Sequence, residues 1–552
     1  MKVSDFLIQF FKKKGIYNFF GVQGGAIAHV IESAKKNKNS FFPVLNEQTS
    51  GMYAHGAYMS SLKPMGSLST TGPGYLNSVT GLAACYFDSI PSVFINGQVQ
   101  KKLNKAEKFK IKMYGFQEVQ HHKISKHLSD KCFKIENFKS LKKMVNQLNR
   151  HDVVSETLFV DLSDDFSRYI LKKHELNHLR GKRKLATKKN IKLNFNLDKL
   201  FKNSKKKVFV FGKGFDRNKK EISKFNKITK KMKIPCVFTW GGSFLLNSKN
   251  KNHIGFFGSH TPGTANKFIQ ESDLIFSFGC SFLQHQVGKK HNYFSPKAKI
   301  LYINNNQREI NKSRKDFGKR LIGINEKSED FLSYLYKKNL REKKIYTNNS
   351  RILKYSNSPV NLISEILNFK SKKNYYIFSD AGATLSWTYQ AANVAKIKNV
   401  FTSYNIHTMG YSISASIGSS LCSKKSLAII GDGGFMMNCQ ELANIKKIKN
   451  NKLKILVLDN SGYSIIKQTQ DAFFYSNYVG SESGLKKFDL PNYSIKKICE
   501  SFNLKTLEAN SLNYKNKISK FFNSNYNCLI IKINKDQRVE NISEDFKKPL
   551  FF

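Results

Sequence analysis

An acidic side chain between glycines, followed 28 residues later by an asparagine, is the part of this chain most able to do chemistry. The first cluster is Gly431-Asp432-Gly433-Gly434, and the second is Asn460-Ser461-Gly462-Tyr463. A carboxylate, an amide oxygen and a nearby backbone carbonyl suit a hard divalent cation that also holds a diphosphate. Mg²⁺ takes few protein oxygens and completes its octahedron with phosphate and water. Whether the clusters meet depends on the elements between them. Apolar residues 427–430 read as a short buried strand ending on the glycines. Met437, Leu442, Ile445 and Ile448 recur at helical spacing, and residues 455–458 read as a second buried strand ending at Asp459-Asn460. This is a βαβ unit, and its right-handed crossover makes the two strands parallel. Both clusters then lie at the carboxyl ends of strands, where open α/β sheets bind ligands. Gly-Asp-Gly alone favours a turn with Asp432 as a helix cap. The paired oxygen donor across a whole βαβ unit favours the metal.

A second candidate is Glu47. It follows the apolar run FFPVL, so it stands at a strand's end, and a helical pattern follows it. In isolation it reads as a carboxylate facing a helix dipole.

The elements that must position these groups repeat one pattern. Short apolar runs lead into glycine-containing loops and then helices, which is the signature of α/β units with parallel sheets. At about 100–200 residues per domain, 552 residues make three. We place an N-terminal domain at 1–170, a basic and weakly patterned linker at 171–205, a central domain at 206–345 and a C-terminal domain at 355–540. The predicted fold class is α/β, with three doubly wound parallel-sheet domains. In the central domain Gly212-Lys213-Gly214 suggests a dinucleotide turn, but the third glycine and the acidic partner are missing.

Composition narrows the function. The chain carries 93 Lys+Arg against 39 Asp+Glu, a net charge of +54. The lysines are spread along the chain and form no arm or stripe, so a surface bias outweighs a nucleic-acid role. The charge still favours anionic ligands. The eight cysteines show no Cys-x-x-Cys and several sit in apolar runs, so they read as reduced thiols, not a disulfide frame or zinc site. No apolar run approaches the length of a membrane span, and the N-terminus reads as an amphipathic helix, not a signal peptide. The expected compartment is the cytoplasm.

The clusters at 431–434 and 460–463 resemble the diphosphate–metal motif of thiamine diphosphate (ThDP) enzymes. Met437-Asn438 and Gln440-Glu441-Leu442-Ala443 are similar to the acetolactate-synthase group in particular. The resemblance implies that Asp432, the Asn460 side chain and the Gly462 carbonyl ligate Mg²⁺. It places Gly431, Gly433, Gly434 and Tyr463 around the cofactor. The intervening loop is one residue longer than usual, near Asn450-Asn451.

PVLNEQTSGMYAHGAY resembles the segment that carries the catalytic glutamate, which makes Glu47 that residue. A carboxyl at that place shares a proton with the cofactor's aminopyrimidine, which then takes the proton from the thiazolium carbon. FFGVQGGA matches with Gln23 where proline is usual and places Gly25 on the substrate side. Phe116-Gln117-Glu118 resembles a segment whose Phe and Gln, here Phe116 and Gln117, face the substrate. His121-His122 belongs to a different local motif from the histidine pair of ThDP decarboxylases and reads as a structural or surface pair. In the third domain 379–384 matches the first diphosphate-contacting loop, giving Gly382, Ala383 and Thr384 as cofactor contacts. Met409 is implied as the apolar wedge that bends the cofactor, with the carbonyl near His407 accepting from its amino group.

Three departures fall on the flavin or substrate side. The Arg and acidic pair of flavin-bearing members fall on Ser281-Phe282-Leu283-Gln284-His285. The expectation of FAD weakens accordingly. His285 also stands where an Arg meets the acceptor's carboxylate, and Thr469 replaces a Trp of the acceptor pocket. The resemblance implies ThDP- and Mg²⁺-dependent decarboxylation and carboligation of a 2-oxo acid by a homodimer or homotetramer, acetolactate synthase-like. Two alternatives stand beside it. One is a decarboxylase or carboligase for another 2-oxo acid or a sugar-derived substrate. The other is a non-catalytic anion- or nucleic-acid-binding protein on this fold.

Overall fold

A computed structural model of the chain describes residues 1–179, 191, 193–261, 263–288, 290–342, 359–371, 374–448 and 452–540. Three parallel sheets of six strands follow one another along the sequence. The first contains β1 (Asn18–Gly21), β2 (Ser40–Pro43), β3 (Met65–Ser69), β4 (Ser92–Gln98), β5 (Lys131–Ile135) and β6 (Thr157–Ser163). The second contains β7 (Lys207–Phe211), β8 (Cys236–Phe238), β9 (His253–Phe256), β10 (Leu274–Phe278), β11 (Lys299–Asn304) and β12 (Leu321–Asn325). The third contains β13 (Tyr376–Ser379), β14 (Val400–Phe401), β15 (Ser426–Gly431), β16 (Leu453–Asp459), β17 (Thr506–Asn510) and β18 (Cys528–Lys532). Their sequences read as continuous apolar runs because helices cover both faces. β7 (KVFVF) and β10 (LIFSF) are buried at every position.

The first and third sheets share one topology. Their orders, β2-β1-β3-β4-β6-β5 and β14-β13-β15-β16-β18-β17, are the same once each is counted from its own first strand. In both, the order reverses between the first and third strands, which opens a crevice at β1/β3 and at β13/β15. The central sheet, β12-β11-β10-β7-β8-β9, is wound differently and reverses between β7 and β10. That crevice is closed by backbone. The amide of Gly214 donates to the Gly279 carbonyl at 3.0 Å, and a Cβ on Gly212 would lie 2.3 Å from the same oxygen. The glycines of the 212–214 turn therefore serve strand-to-strand contact.

The first and third units lock through two helices, α1 (Glu47–Ser61) and a helix at Tyr411–Leu421. A Cβ on Gly56 would come within 2.0 Å of the Ala415 carbonyl oxygen, and one on Gly418 within 2.3 Å of the Tyr53 carbonyl. Only glycine lets the two backbones approach this closely.

Two expectations are corrected. The spacing after Gly434 predicts one helix through Ile448, but the helix Asp432–Met437 stops at Asn438 and a 3₁₀ segment, Cys439–Lys447, follows. Asn438 leaves helical geometry because its side chain is engaged: it accepts from Gln48 Nε2 at 2.8 Å and donates to the Gly410 carbonyl at 3.1 Å. Met437 is consequently exposed and not core. The stretch read as a surface linker bears helices at its ends, Lys173–His178 and Leu197–Asn203, with Leu197 and Phe201 buried. Residues 180–190 and 192 of that stretch, and Asn450-Asn451, lie outside the described residues.

Candidate active site

The two polar clusters meet. Asp432 opens its helix at the end of β15, Asn460 follows β16, and these strands pair in register from Ser426/Leu453 to Gly431/Leu458. Asp432 is 3 % exposed, and burial together with the nearby Asp459 carboxylate pushes its carboxyl up to about 7. The Gly462 amide donates to Asp432 Oδ2 at 2.8 Å. The Asn460 side-chain oxygen then faces two further oxygens, Asp432 Oδ1 at 3.1 Å and the Gly462 carbonyl at 3.0 Å, while its nitrogen meets the Ser464 hydroxyl at 2.5 Å. Three acceptors converge with no proton between them. With Mg–O bonds of about 2.1 Å, adjacent ligands of an octahedron stand about 3.0 Å apart. The separations from the Asn460 oxygen to the other two thus match two edges of an Mg²⁺ octahedron. Turned over, the same amide donates to both oxygens and accepts from Ser464, which closes the cluster on itself. Tyr463 packs over the turn, since a Cβ on Gly433 would lie 2.0 Å from its ring.

The β13/β15 crevice supplies a second set of groups. Gly382, at φ +80°, turns the chain into α2 (Ala383–Val394), so Ala383 and Thr384 stand at the helix's amino end beside Gly431. Free amides at such an end suit a phosphate. Asp380, one residue beyond β13, is fully buried and accepts from the amides of Gly410 at 3.0 Å and Ser412 at 2.8 Å. Burial raises it to about 6. That carboxylate pins the loop carrying His407 and Met409, both partly buried, with His407 held at φ +47°.

Glu47 is the first residue of α1, with Asn46 capping the helix through the Gln48 amide at 3.0 Å. Asn77 Nδ2 donates to Glu47 Oε2 at 3.1 Å, and the absent side chain of Gly74 leaves room beside Oε1. Gly25 is flanked by open space. Phe116 is 81 % exposed at the tip of a loop that Glu118 holds by accepting from the amides of Ala106, Tyr114 and Gly115. Gln117, at φ +60°, presents its carbonyl to Thr71 Oγ1 at 3.0 Å. Of the histidine pair, His121 is wholly buried against Asp161 at 3.1 Å, so the surface reading fails for it and the structural one stands.

His285 and His407 come together: their ring centroids are 6.1 Å apart, and both border Trp240. Thr469 does not join them. It is exposed, and its hydroxyl donates to the Ile465 carbonyl of its own helix at 3.1 Å.

Sequence reasoning missed three organising groups. Glu441 receives five hydrogen bonds, from the amides of Leu45 and Asn46, from Thr49 and Tyr53, and from Asn444. Asp380 holds the His407 loop. Asp88 joins His55 at 2.9 Å to the Tyr404 amide at 2.9 Å, while Tyr411 bonds the other nitrogen of His55 at 2.8 Å. The one signal for Glu441 was its place in Gln440-Glu441-Leu442. Nothing local marked the other two, because their partners come from distant parts of the chain.

Family models match segments in all three units of the chain. The family model for the N-terminal thiamine pyrophosphate-binding domain of thiamine pyrophosphate enzymes matches residues 1–124, the central-domain model 197–327, and the C-terminal binding-domain model 380–531. The chain is 26 % identical over 511 residues to the acetolactate synthase large subunit of Cyanidium caldarium, covering 86 % of this chain and 84 % of that one. It is 25 % identical over 504 residues to the isozyme 2 large subunit of acetolactate synthase from Escherichia coli K12, covering 87 % and 86 %. A solved thiamine diphosphate-dependent 4-hydroxybenzoylformate decarboxylase from Rhodococcus jostii RHA1 shares the fold, with TM-score 0.77 over 99 % of this chain and 100 % of that one at 13 % identity.

Proposed function

Because the chain belongs to the thiamine pyrophosphate enzymes, we propose that it decarboxylates a 2-oxo acid and passes the remaining fragment to an acceptor or a proton, in the manner of an acetolactate synthase. The observation that carries this reading is the convergence of the Asp432, Asn460 and Gly462 oxygens at Mg²⁺ spacing beside the free amides of Ala383 and Thr384. When bound, ThDP supplies a carbanion-stabilising thiazolium, the electron sink that decarboxylation needs.

The chain's own residues have separate tasks in this reading. Asp432, Asn460 and the Gly462 carbonyl hold the cation, and the cation and the helix end hold the diphosphate. Asp380 keeps the His407–Met409 loop in place so that Met409 supports the cofactor and the backbone near His407 accepts a hydrogen bond. Glu47 holds a proton against the aminopyrimidine. Phe116 faces solvent and Glu47 is only half-buried in a single chain, which favours a homodimer whose second subunit covers them. We include no flavin step: the central crevice is filled by Gly279, and Ser281–His285 present no guanidinium.

The test is purified protein with ThDP, Mg²⁺ and pyruvate, with and without FAD, scored for CO₂ and for acetolactate. Cofactor-dependent CO₂ supports the reading, and CO₂ without acetolactate removes the synthase label. Absence of ThDP binding by calorimetry overturns it.

A further inference from the structure

The loop between β14 and the helix Tyr411–Leu421 carries His407 and Met409. His407 stands at φ +47°, a left-handed backbone that a residue with a side chain keeps only where its surroundings impose it. The loop's own hydrogen bonds are long. The His407 amide donates to the Ser403 carbonyl at 3.2 Å, and the hydroxyls of Ser403 and Thr408 meet at 3.3 Å. Asp380 fixes the far end of the loop, at the amides of Gly410 and Ser412. The near end is fixed by Asp88, the residue that closes the helix Pro73–Phe87 of the first unit. Its carboxylate is buried. Oδ2 accepts from the Tyr404 amide at 2.9 Å, and Oδ1 accepts from Asn405 Nδ2 at 2.7 Å. The same Asn405 nitrogen donates to the Phe87 carbonyl at 2.5 Å, so the grip includes backbone. Residues 406–409 are therefore suspended between two buried carboxylates.

Asp88 also reaches the other side of that span, through His55. This histidine lies about two turns after Glu47 on α1. Its Nε2 stands 2.9 Å from Asp88 Oδ2 and its Nδ1 2.8 Å from the Tyr411 hydroxyl, with all three residues buried. An ionised carboxylate only accepts, so Nε2 carries the proton and Nδ1 accepts from Tyr411. Burial opposes the charge on Asp88, but His55 and the Lys213 ammonium outweigh it and hold the carboxyl below its ordinary value. Tyr411 directly follows Gly410, so Asp88 holds the loop at 404 and 405 and, through one imidazole, at 411. The central unit props the loop's entry. Lys213, from the turn whose glycines suggested a dinucleotide, places its ammonium 5.7 Å from the centre of the Tyr404 ring. The Arg217 guanidinium lies 4.9 Å from the Phe401 ring and donates to the Met59 carbonyl on α1. The turn at 212–214 thus serves a junction of all three units.

We propose that Asp88, acting through Tyr404, Asn405 and the His55–Tyr411 pair, is the positioning residue for the His407–Met409 segment and so sets how the aminopyrimidine end of ThDP is held. This rests on the function proposed above and deepens it. The Asp432, Asn460 and Gly462 oxygens anchor the diphosphate end of the cofactor whatever happens at Asp88. The ring end depends on the 406–409 span, which Asp380 and Asp88 hold from opposite sides. Loss of the Asp88 grip therefore has a distinct signature: the cofactor still binds, and its activation fails. Asp88 acts through the loop and is not itself a catalytic residue.

The experiment uses the full-length protein with ThDP and Mg²⁺. Asp88→Asn keeps the shape of the side chain but offers one acceptor oxygen to three donors. Two quantities are read: ThDP affinity by calorimetry, and hydrogen–deuterium exchange at the thiazolium carbon with ThDP saturating. Exchange should slow at least about tenfold, since a small misplacement of reacting groups costs up to about 100-fold. ThDP affinity should stay within about threefold, a change of under 1 kcal/mol. A merely structural role would lower the melting temperature and the folded fraction and leave the exchange rate of each bound cofactor unchanged, and that result overturns the proposal. Tyr411→Phe removes one hydroxyl and keeps the ring, and it should slow exchange about threefold, as for loss of one hydrogen bond. It decides if Asp88→Asn does not fold, an unchanged rate again overturning the proposal. The unvaried protein keeps the two readings apart. ThDP binding without CO₂ release from any 2-oxo acid removes the proposed reaction and leaves exchange to judge Asp88, whereas no ThDP binding overturns both.

Discussion

The side-chain oxygen of Asn460 lies 3.1 Å from Asp432 Oδ1, acceptor against acceptor, in a pocket closed to water on the Asp432 side. That separation has two resolutions. A divalent cation draws the oxygens together, or the amide turns over and donates. The cation therefore competes with an internal hydrogen bond, and ThDP affinity should depend steeply on it. Asn460→Ala removes a ligand and should weaken Mg²⁺-dependent ThDP binding about 100-fold, or about 2.7 kcal/mol by calorimetry. Equal ThDP affinity in Mg²⁺ and in EDTA would sink the assignment of this cluster.

Glu47 differs from Asp432 in being reachable from solvent in the single chain, at the amino end of α1. Glu47→Gln keeps the size and the hydrogen bond from Asn77 but cannot share a proton with the aminopyrimidine. Hydrogen–deuterium exchange at the thiazolium carbon should slow at least about 100-fold, in the range for loss of a positioned acid–base group. The melting temperature should stay within about 2 °C, as for surface substitutions. Unchanged exchange in the variant would falsify the role.

Glu441 ties the third unit to the first. Its carboxylate takes 2.9 Å and 3.2 Å bonds from the amides of Leu45 and Asn46, the residues that lead into Glu47, and a 2.6 Å bond from Tyr53. Glu441→Ala would leave those donors unpaired in a dry site. Bonds to a buried charge contribute about 1.5–3 kcal/mol each and are not additive, so a loss of about 4 kcal/mol is expected. In a unit of 150–250 residues that is a fall of about 10 °C in melting temperature. A fall under about 2 °C would show that the clamp is dispensable.

How far the sequence reveals this depends on the range of each interaction. The strands and the βαβ unit from β15 to β16 were legible because buried parallel strands write themselves as short apolar runs. Asp432 and Asn460 were legible because one crossover fixes both their positions. The break at Asn438 was not, since it depends on Gln48, some 390 residues away. His121 could not be told from a surface residue because its partner Asp161 sits on β6, 40 residues further along the chain. The trio of His260, His285 and His407 was invisible for the same reason: only the docking of two sheets brings the three loops together. Thr469 stands apart from these rings in the single chain. Its position in the motif suggested a pocket residue, while its exposed place on the helix spends the hydroxyl locally.

His253, near the start of β9, gives the fold a defined acid sensitivity. Its ring is buried, with Nε2 at Thr229 Oγ1 (3.1 Å) and Nδ1 accepting from the Asn247 amide at 3.1 Å. Burial lowers it to about 3, with the Lys396 ammonium adding to the effect. The unfolded chain has an ordinary histidine near 6.5 and so binds more protons between about pH 3 and 6.5. Stability from this group is complete above about pH 6.5 and declines as pH falls towards 3. His260 and His285 act in the same direction over nearly the same window. Thermal melting should therefore drop between pH 7 and pH 5, by an amount corresponding to about 2 kcal/mol for His253 alone. His253→Gln, which keeps polar contacts without a titrating ring, should start from a lower melting temperature at pH 7 and lose less on acidification. The measurement is a melting curve at half-unit intervals of pH for both proteins, and parallel profiles would remove His253 as a source of the acid sensitivity.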